Sequence, residues 1–186
     1  LAVSASHTGS FYGSGPSGFE DGAWFFNGAN NWNGGGVSYH INYGYGMVDA
    51  FAAVRMAEVW TIMHGEAMTS ANEMSAEFFL GGFNQTISNV QAPVEASILI
   101  QNSEIIIESI YVEVDMTHTW SGDLTIVLVA PDGTEFVLHD QNGFSADHNG
   151  YTYTVSAALG MSSLGEWTLR ITDNEFGDSG TFFGFG

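Results

Sequence analysis

The chain has 186 residues, with 21 acidic and two basic side chains and a formal net charge of −19. This charge disfavours nucleic-acid phosphates and anionic lipids as partners and favours divalent cations, although it also serves simply to keep a secreted or salt-adapted protein soluble. Cysteine is absent, which excludes disulfides and thiolate metal sites, and no apolar run approaches the roughly 18 residues that membrane insertion requires. The apolar fraction of 45% predicts a folded chain.

Residues 1 to about 46 are rich in Gly, Asn, Ser and aromatic residues and show little periodicity, which predicts a long ordered loop. Such a loop is expected to lie on a larger body, so we interpret the chain as a piece of a longer precursor. Its aromatic residues favour an anchoring role over a sugar-binding platform. They include Trp24, Phe25, Phe26 and Trp32.

A helix is predicted within residues 44–60, "GYGMVDAFAAVRMAEVW", because the segment is rich in helix formers and carries Asp49 near its start. Its apolar positions cover much of the helix circumference. The pattern therefore predicts a largely buried helix. Residues 64–78, which follow it, are mixed in character and are interpreted as a linker.

From about residue 79 the pattern changes to period two, with turn residues between short apolar segments. This pattern predicts an antiparallel sandwich or barrel. Between two of the segments, "APDGT" provides Pro131 and Gly133 for a tight hairpin turn. The predicted strands lie in 96–101, 109–116, 123–130, 135–140, 151–155 and 166–172.

Acidic residues concentrate near the predicted strand ends, where loops from distant parts of a sandwich meet. Calcium takes six to eight oxygen ligands, usually from such irregular loops. The sequence therefore predicts a calcium site, with turn capping by Asp as the alternative. The candidate ligands are Asp115, Asp123, Asp140, Asp147, Asp173 and Asp178.

Three histidines lie near this acidic region. We expect His118 to have a structural role in the loop before Gly122 and Asp123, because no nucleophile motif of acyl-transfer enzymes accompanies it. A zinc site at His139 and His148 is disfavoured because their spacing matches no established pattern.

Two stretches resemble one protease family. "YGYGMVDAFAAVRMAEVW" resembles the last helix of the catalytic domain in subtilisin/kexin-like serine endopeptidases. "HTWSGDL", "APDGT", "WTLRITD" and "GDSGT" occur in the order found in the P domain, also called the proprotein convertase or Homo B domain, which follows that catalytic domain.

The resemblance implies a mostly β chain: a jelly-roll-like antiparallel β-sandwich, preceded by a loop and one α-helix from the end of a subtilisin-like α/β domain. The implied parts are a catalytic-domain tail at 1–63, a linker at 64–78 and a P domain at 79–186. The implied partner is the catalytic domain of the same precursor, which the P domain stabilises and regulates, and through which protein or peptide substrates are bound. A secreted, calcium-dependent bacterial protein is expected.

The family's Gly-Thr-Ser nucleophile motif is absent from this chain. No catalytic residue is therefore carried over, and only the parent protein is expected to be a serine endopeptidase. The main alternative is a stand-alone adhesive or carbohydrate-binding jelly-roll module; a third is an assembly or secretion domain of an exported repeat protein.

Overall fold

The computed structural model describes residues 1–8, 24–30, 36–64, 66–67, 69–89, 91–102, 104–141 and 148–186. It divides into two compact units. The first comprises residues 1–75, 106–108 and 157–162, and the second comprises 76–105, 109–156 and 163–186. Within the described residues, no helix combines the length and apolar character needed to cross a bilayer.

The first unit contains a two-stranded antiparallel pair, β1 (Phe25–Phe26) and β2 (Ser38–Tyr39), and the helix α1 (Ala50–His64). Asp49 lies just before α1 and accepts a hydrogen bond from the Ala52 N–H through its carboxylate at 2.8 Å. This is an N-cap, which satisfies one of the backbone donors left unpaired at a helix start.

The prediction that α1 is largely buried is wrong for this chain. Phe51, Val54 and Ile62 are 78%, 60% and 82% exposed. No described part of the chain covers those three side chains.

The second unit is mostly β, as the sequence predicts. One four-stranded antiparallel sheet has the order β3-β10-β5-β8 and the other has the order β4-β9-β6-β7. The strands are β3 (Leu80–Ile87), β4 (Val94–Ile100), β5 (Ile110–His118), β6 (Leu124–Val129), β7 (Glu135–Asp140), β8 (His148–Val155), β9 (Gly165–Asp173) and β10 (Gly180–Phe185).

Alternating side chains of these strands build the core. On β5, Val112, Val114 and Met116 are buried while the residues between them are exposed. On β9, Trp167, Leu169 and Ile171 are buried in the same period-two pattern. Burial of one face therefore fixes the register of both strands.

Candidate functional site

Two buried stripes of the sandwich end in charged or titratable side chains. The inward stripe of β5 continues two residues past Met116 to His118, and that of β9 continues two residues past Ile171 to Asp173. The side chains of His118 and Asp173 have no solvent exposure. The same alternation that builds the core thus carries an imidazole and a carboxylate into it.

The His118 ring lies between a carboxylate and a backbone carbonyl. Its Nε2 atom is 3.4 Å from Asp173 Oδ2, and neither atom has a hydrogen-bond partner among the described residues. Its Nδ1 atom is 2.9 Å from the Trp120 carbonyl oxygen. The Trp120 N–H also donates to Nδ1, at 3.2 Å. Residue Trp120 thus fixes one edge of the ring, and the other edge faces Asp173 as a buried pair.

A second buried carboxylate lies beside this pair. Asp123 ends the short 3₁₀ turn Ser121–Asp123 and is 9% exposed. Its carbonyl oxygen accepts hydrogen bonds from the Asn174 backbone N–H at 2.9 Å and from Asn174 Nδ2 at 3.0 Å. Asn174, the residue directly after β9, thus binds the turn that precedes β6.

The surroundings of Asp123 disfavour its negative charge. Burial raises the pKa of the Asp123 carboxyl, the carboxylates of Asp173 and Asp178 raise the pKa further, and Glu175 adds a smaller rise. His118 acts in the opposite direction and lowers the pKa. The negative charge at this end of the sandwich is therefore only partly compensated.

The loop between β9 and β10 closes the cluster. Its Asp178 accepts a hydrogen bond from Thr119 Oγ1 at 2.7 Å, and the Glu175 N–H donates to Asp173 Oδ1 at 3.2 Å. Phe176 projects from the same loop and is 83% exposed. We call the set His118, Asp123, Asp173, Glu175 and Asp178 the acidic rim.

Three of the six predicted metal ligands, Asp123, Asp173 and Asp178, belong to the acidic rim. Asp140 ends β7 as expected, on an exposed position opposite Thr125. Asp115 does not end a strand, because β5 continues to His118, and it faces outward from the middle of that strand. Asp147 lies outside the described residues.

The acidic rim is not a preformed metal centre. The described residues contain no group of three or more His, Asp or Glu side chains placed to hold a metal ion. At the histidines considered for zinc, His139 Nε2 lies 2.8 Å from the Ser121 carbonyl oxygen, whereas the His148 side chain lies outside the described part. In this conformation Asp173 faces His118 and accepts from the Glu175 N–H, and Asp178 accepts from Thr119.

The acidic rim also lacks the arrangement of a hydrolytic triad. In such a triad one ring nitrogen of the histidine faces a nucleophile and the other faces a carboxylate. His118 instead directs Nδ1 at the Trp120 carbonyl and Nε2 at Asp173. This geometry fits the structural role predicted for His118.

Sequence reasoning missed that the His118–Asp173 pair is buried. A usable signal for the pair was present. Extending the alternation of the apolar residues by one step along β5 and along β9 places both side chains on the core face.

Residues 107–186 match the family model described as the proprotein convertase P-domain. The chain is 40% identical over 96 residues to a transglutaminase-activating metalloprotease of Streptomyces mobaraensis, covering 51% of this chain and 12% of the relative. It is 31% identical over 147 residues to a calcium-dependent protease of Trichormus variabilis, covering 74% of this chain and 20% of the relative.

The chain is also 28% identical over 152 residues to human proprotein convertase subtilisin/kexin type 6, covering 78% of this chain and 15% of the relative. It thus spans at most about a fifth of these three proteins.

Among solved structures, a serine protease of Aeromonas sobria superposes on the whole chain, over 38% of its own length, with a TM-score of 0.62 and 20% identity. This similarity supports the fold. The β-sandwich architecture and the named relatives agree with the family model, and residues 107–186 are similar to the proprotein convertase P-domain.

Proposed function

We propose that this chain is the C-terminal part of a secreted, calcium-dependent serine endopeptidase of the subtilisin/kexin type. Residues 1–63 form the tail of the catalytic domain, 64–78 the linker, and 79–186 the P domain that stabilises and regulates that catalytic domain. The active site and the binding of protein or peptide substrates belong to the catalytic domain that precedes this tail.

The exposed apolar surface of α1 carries this proposal. Phe51, Val54 and Ile62 are more than half exposed, and Met47 and Val48 just before the helix are 61% and 62% exposed. Several large apolar side chains exposed on one short segment are a feature of interaction sites. We assign the body of the catalytic domain as the structure that covers it.

The extent of the alignments supports the same domain order. The P-domain model begins at residue 107, whereas the calcium-dependent protease and the human convertase align over 147 and 152 residues. The resemblance to these proteases therefore extends well beyond the part that matches the P-domain model.

The environment of Trp24 argues against the carbohydrate-binding alternative. Its ring stacks on His7 with centroids 4.6 Å apart and on Tyr43 with centroids 6.4 Å apart, leaving the residue only 7% exposed. A sugar platform needs an accessible aromatic face. Trp24 instead anchors the loop, which is the role expected of a catalytic-domain tail.

The docking of α1 is tested by comparing Phe51→Asn and Ile62→Asn in this chain and in its longer precursor. In the 186-residue chain both positions are exposed, so each substitution should change the free energy of unfolding by no more than about 0.5 kcal/mol. In the precursor each should cost about 1.5–3 kcal/mol, because the lost side chain is buried there.

Glu73→Gln is the control, because Glu73 is exposed and lies outside α1. An effect of Phe51→Asn in the precursor no larger than that of Glu73→Gln would overturn the docking proposal.

The catalytic class is tested separately. Protease activity that a serine-directed inhibitor abolishes and a zinc chelator leaves intact would assign it.

We propose calcium as the ligand of the acidic rim, with the predicted aspartates of that rim, Asp123, Asp173 and Asp178, as its candidate ligands. The partly compensated charge around Asp123 supports a cation there, and one relative is named a calcium-dependent protease. Because the described side chains do not form a complete metal centre, backbone oxygens and water would have to complete the shell.

The calcium proposal predicts that calcium at a hundredfold excess over its dissociation constant stabilises the fold by about 2.7 kcal/mol. Thermal unfolding of the chain with calcium or with chelator, at constant ionic strength, measures this effect. Asp123→Asn and Asp173→Asn should abolish it, whereas Asp132→Asn, in the exposed turn after β6, should not. A rise no larger than that given by sodium chloride would contradict the proposal.

A further inference from the structure

Asn27 is a buried residue whose side chain uses its whole hydrogen-bonding capacity. It is 4% exposed and lies within the first unit. Its Oδ1 atom accepts from the backbone N–H groups of Ala29 at 3.0 Å and Val37 at 2.9 Å. Its Nδ2 group donates to the carbonyl oxygens of Ala157 at 2.7 Å and Leu159 at 2.9 Å. Two donors and two acceptor sites are all that an asparagine side chain offers.

The two halves of the Asn27 amide bind different parts of the sequence. The acceptor half binds the backbone at Ala29 and Val37, next to Gly36, where an added Cβ would lie 1.9 Å from the Asn27 carbonyl oxygen. The donor half binds residues 157–159, which are more than 120 residues later and connect β8 to β9. One side chain therefore joins the N-terminal segment to the β8–β9 connection.

Steric fit accompanies the hydrogen bonds. Gly160 has a φ of +82°, and a Cβ added there would lie 3.1 Å from Ala29 Cβ. Ala29 and Val37 are both 4% exposed. The backbone at Gly160 therefore lies against side chains of the same segment that Asn27 organises, and a side chain at position 160 would separate them.

We propose that Asn27 acts as a clasp that binds the β8–β9 connection, and that this clasp makes residues 24–30, 36–40 and 157–162 one structural unit. The inference deepens the proposed function and rests on it for the identity of the parts: Asn27 lies in the catalytic-domain tail and the connection it binds lies in the P domain. The clasp is the contact through which the P domain stabilises that tail.

Asn27→Asp tests the clasp selectively. A carboxylate still accepts from the Ala29 and Val37 N–H groups, but it cannot donate to the carbonyls of residues 157 and 159. Amide hydrogen exchange of the 186-residue chain is the readout, because Gly160 N–H donates to the Ile107 carbonyl and Met161 N–H to the Ala158 carbonyl within the bound connection. Exchange at these two amides should accelerate at least about tenfold, while the amides of β6 keep their protection.

Asn102→Asp, an exposed position with the same change of charge, is the control. A second pair of variants distinguishes loss of the clasp from a general folding defect. Gly160→Ala should accelerate the same exchange, whereas Gly133→Ala has nearly the same backbone strain, at φ +88°, with no atom within 4 Å of the added Cβ. Ala29→Gly should restore part of the protection lost in Gly160→Ala.

Exchange at residues 160 and 161 that is the same in Asn27→Asp as in Asn102→Asp, or an effect of Gly160→Ala that Gly133→Ala reproduces, would overturn the clasp. Hydrogen exchange requires no protease activity, so this outcome is distinct from failure of the proposed function. A missing catalytic partner would leave the exchange result unchanged.

Discussion

Replacing one partner of the His118–Asp173 pair should be strongly destabilising. Both side chains are without solvent exposure, so Asp173→Asn or His118→Gln leaves the remaining buried side chain without the group it faces. Leaving a buried polar group without its partner costs about 1–3 kcal/mol, and more where that group is charged. The pair Arg170–Glu135, with side chains 31% and 51% exposed, provides the scale for a surface pair, which contributes about 0–1 kcal/mol.

Urea unfolding followed by tryptophan fluorescence measures both pairs, because Trp167 is buried in the same sandwich. The measurement is made in chelator, so that any metal effect is absent. Asp173→Asn should lower the unfolding free energy at least about threefold more than Glu135→Gln. Equal losses for the two substitutions would refute the argument that burial makes the His118–Asp173 pair important.

Three further predictions concern single residues. The pKa of Asp123 is raised in the folded state, so this carboxyl favours folding at pH values below its ordinary pKa of 3.8, and the contribution is lost as pH rises through the folded-state pKa. Asp123→Asn, measured in chelator, should therefore gain stability relative to the parent chain as pH rises. A stability difference that stays constant with pH would contradict this prediction. Asp49→Ala removes the N-cap of α1 and should cost about 0.5–2 kcal/mol, measured from exchange of the Ala52 amide, with no change counting against capping. Trp167→Phe loses the hydrogen bond from the indole N–H to the Ser163 carbonyl at 2.9 Å and should lower the free energy of unfolding in urea by about 1–3 kcal/mol. A decrease below about 0.5 kcal/mol would contradict a stabilising role for this bond.

Strands with a clear alternation could be predicted from the sequence. The segments 109–116, 135–140 and 166–172 correspond to β5, β7 and β9 within two residues at each end. The strands β3 and β10 were not among the segments predicted, because their sequences "LGGFNQTI" and "GTFFGF" contain glycines and lack a regular apolar period. Strand β10 pairs with β3 on one side and with β5 on the other. This pairing depends on tertiary structure, which the local sequence pattern does not encode.

The acidic rim shows the same difference between what local sequence indicates and what tertiary structure decides. Loop positions such as Asp123, Asp173 and Asp178 could be grouped because a sandwich brings loops together at its ends. The pairing of Asp173 with His118 required the register of two strands in different sheets. The exposure of α1 depends on what covers the helix, which its own apolar pattern does not identify.

The most direct test of the central claim compares the longer precursor with a version that ends at residue 78. If residues 79–186 stabilise a catalytic domain, the full precursor should yield protease activity that a serine-directed inhibitor abolishes. The shortened form should yield little active protein, or protein that loses activity at a lower temperature. Equal activity and equal thermal inactivation of the two forms would contradict the account.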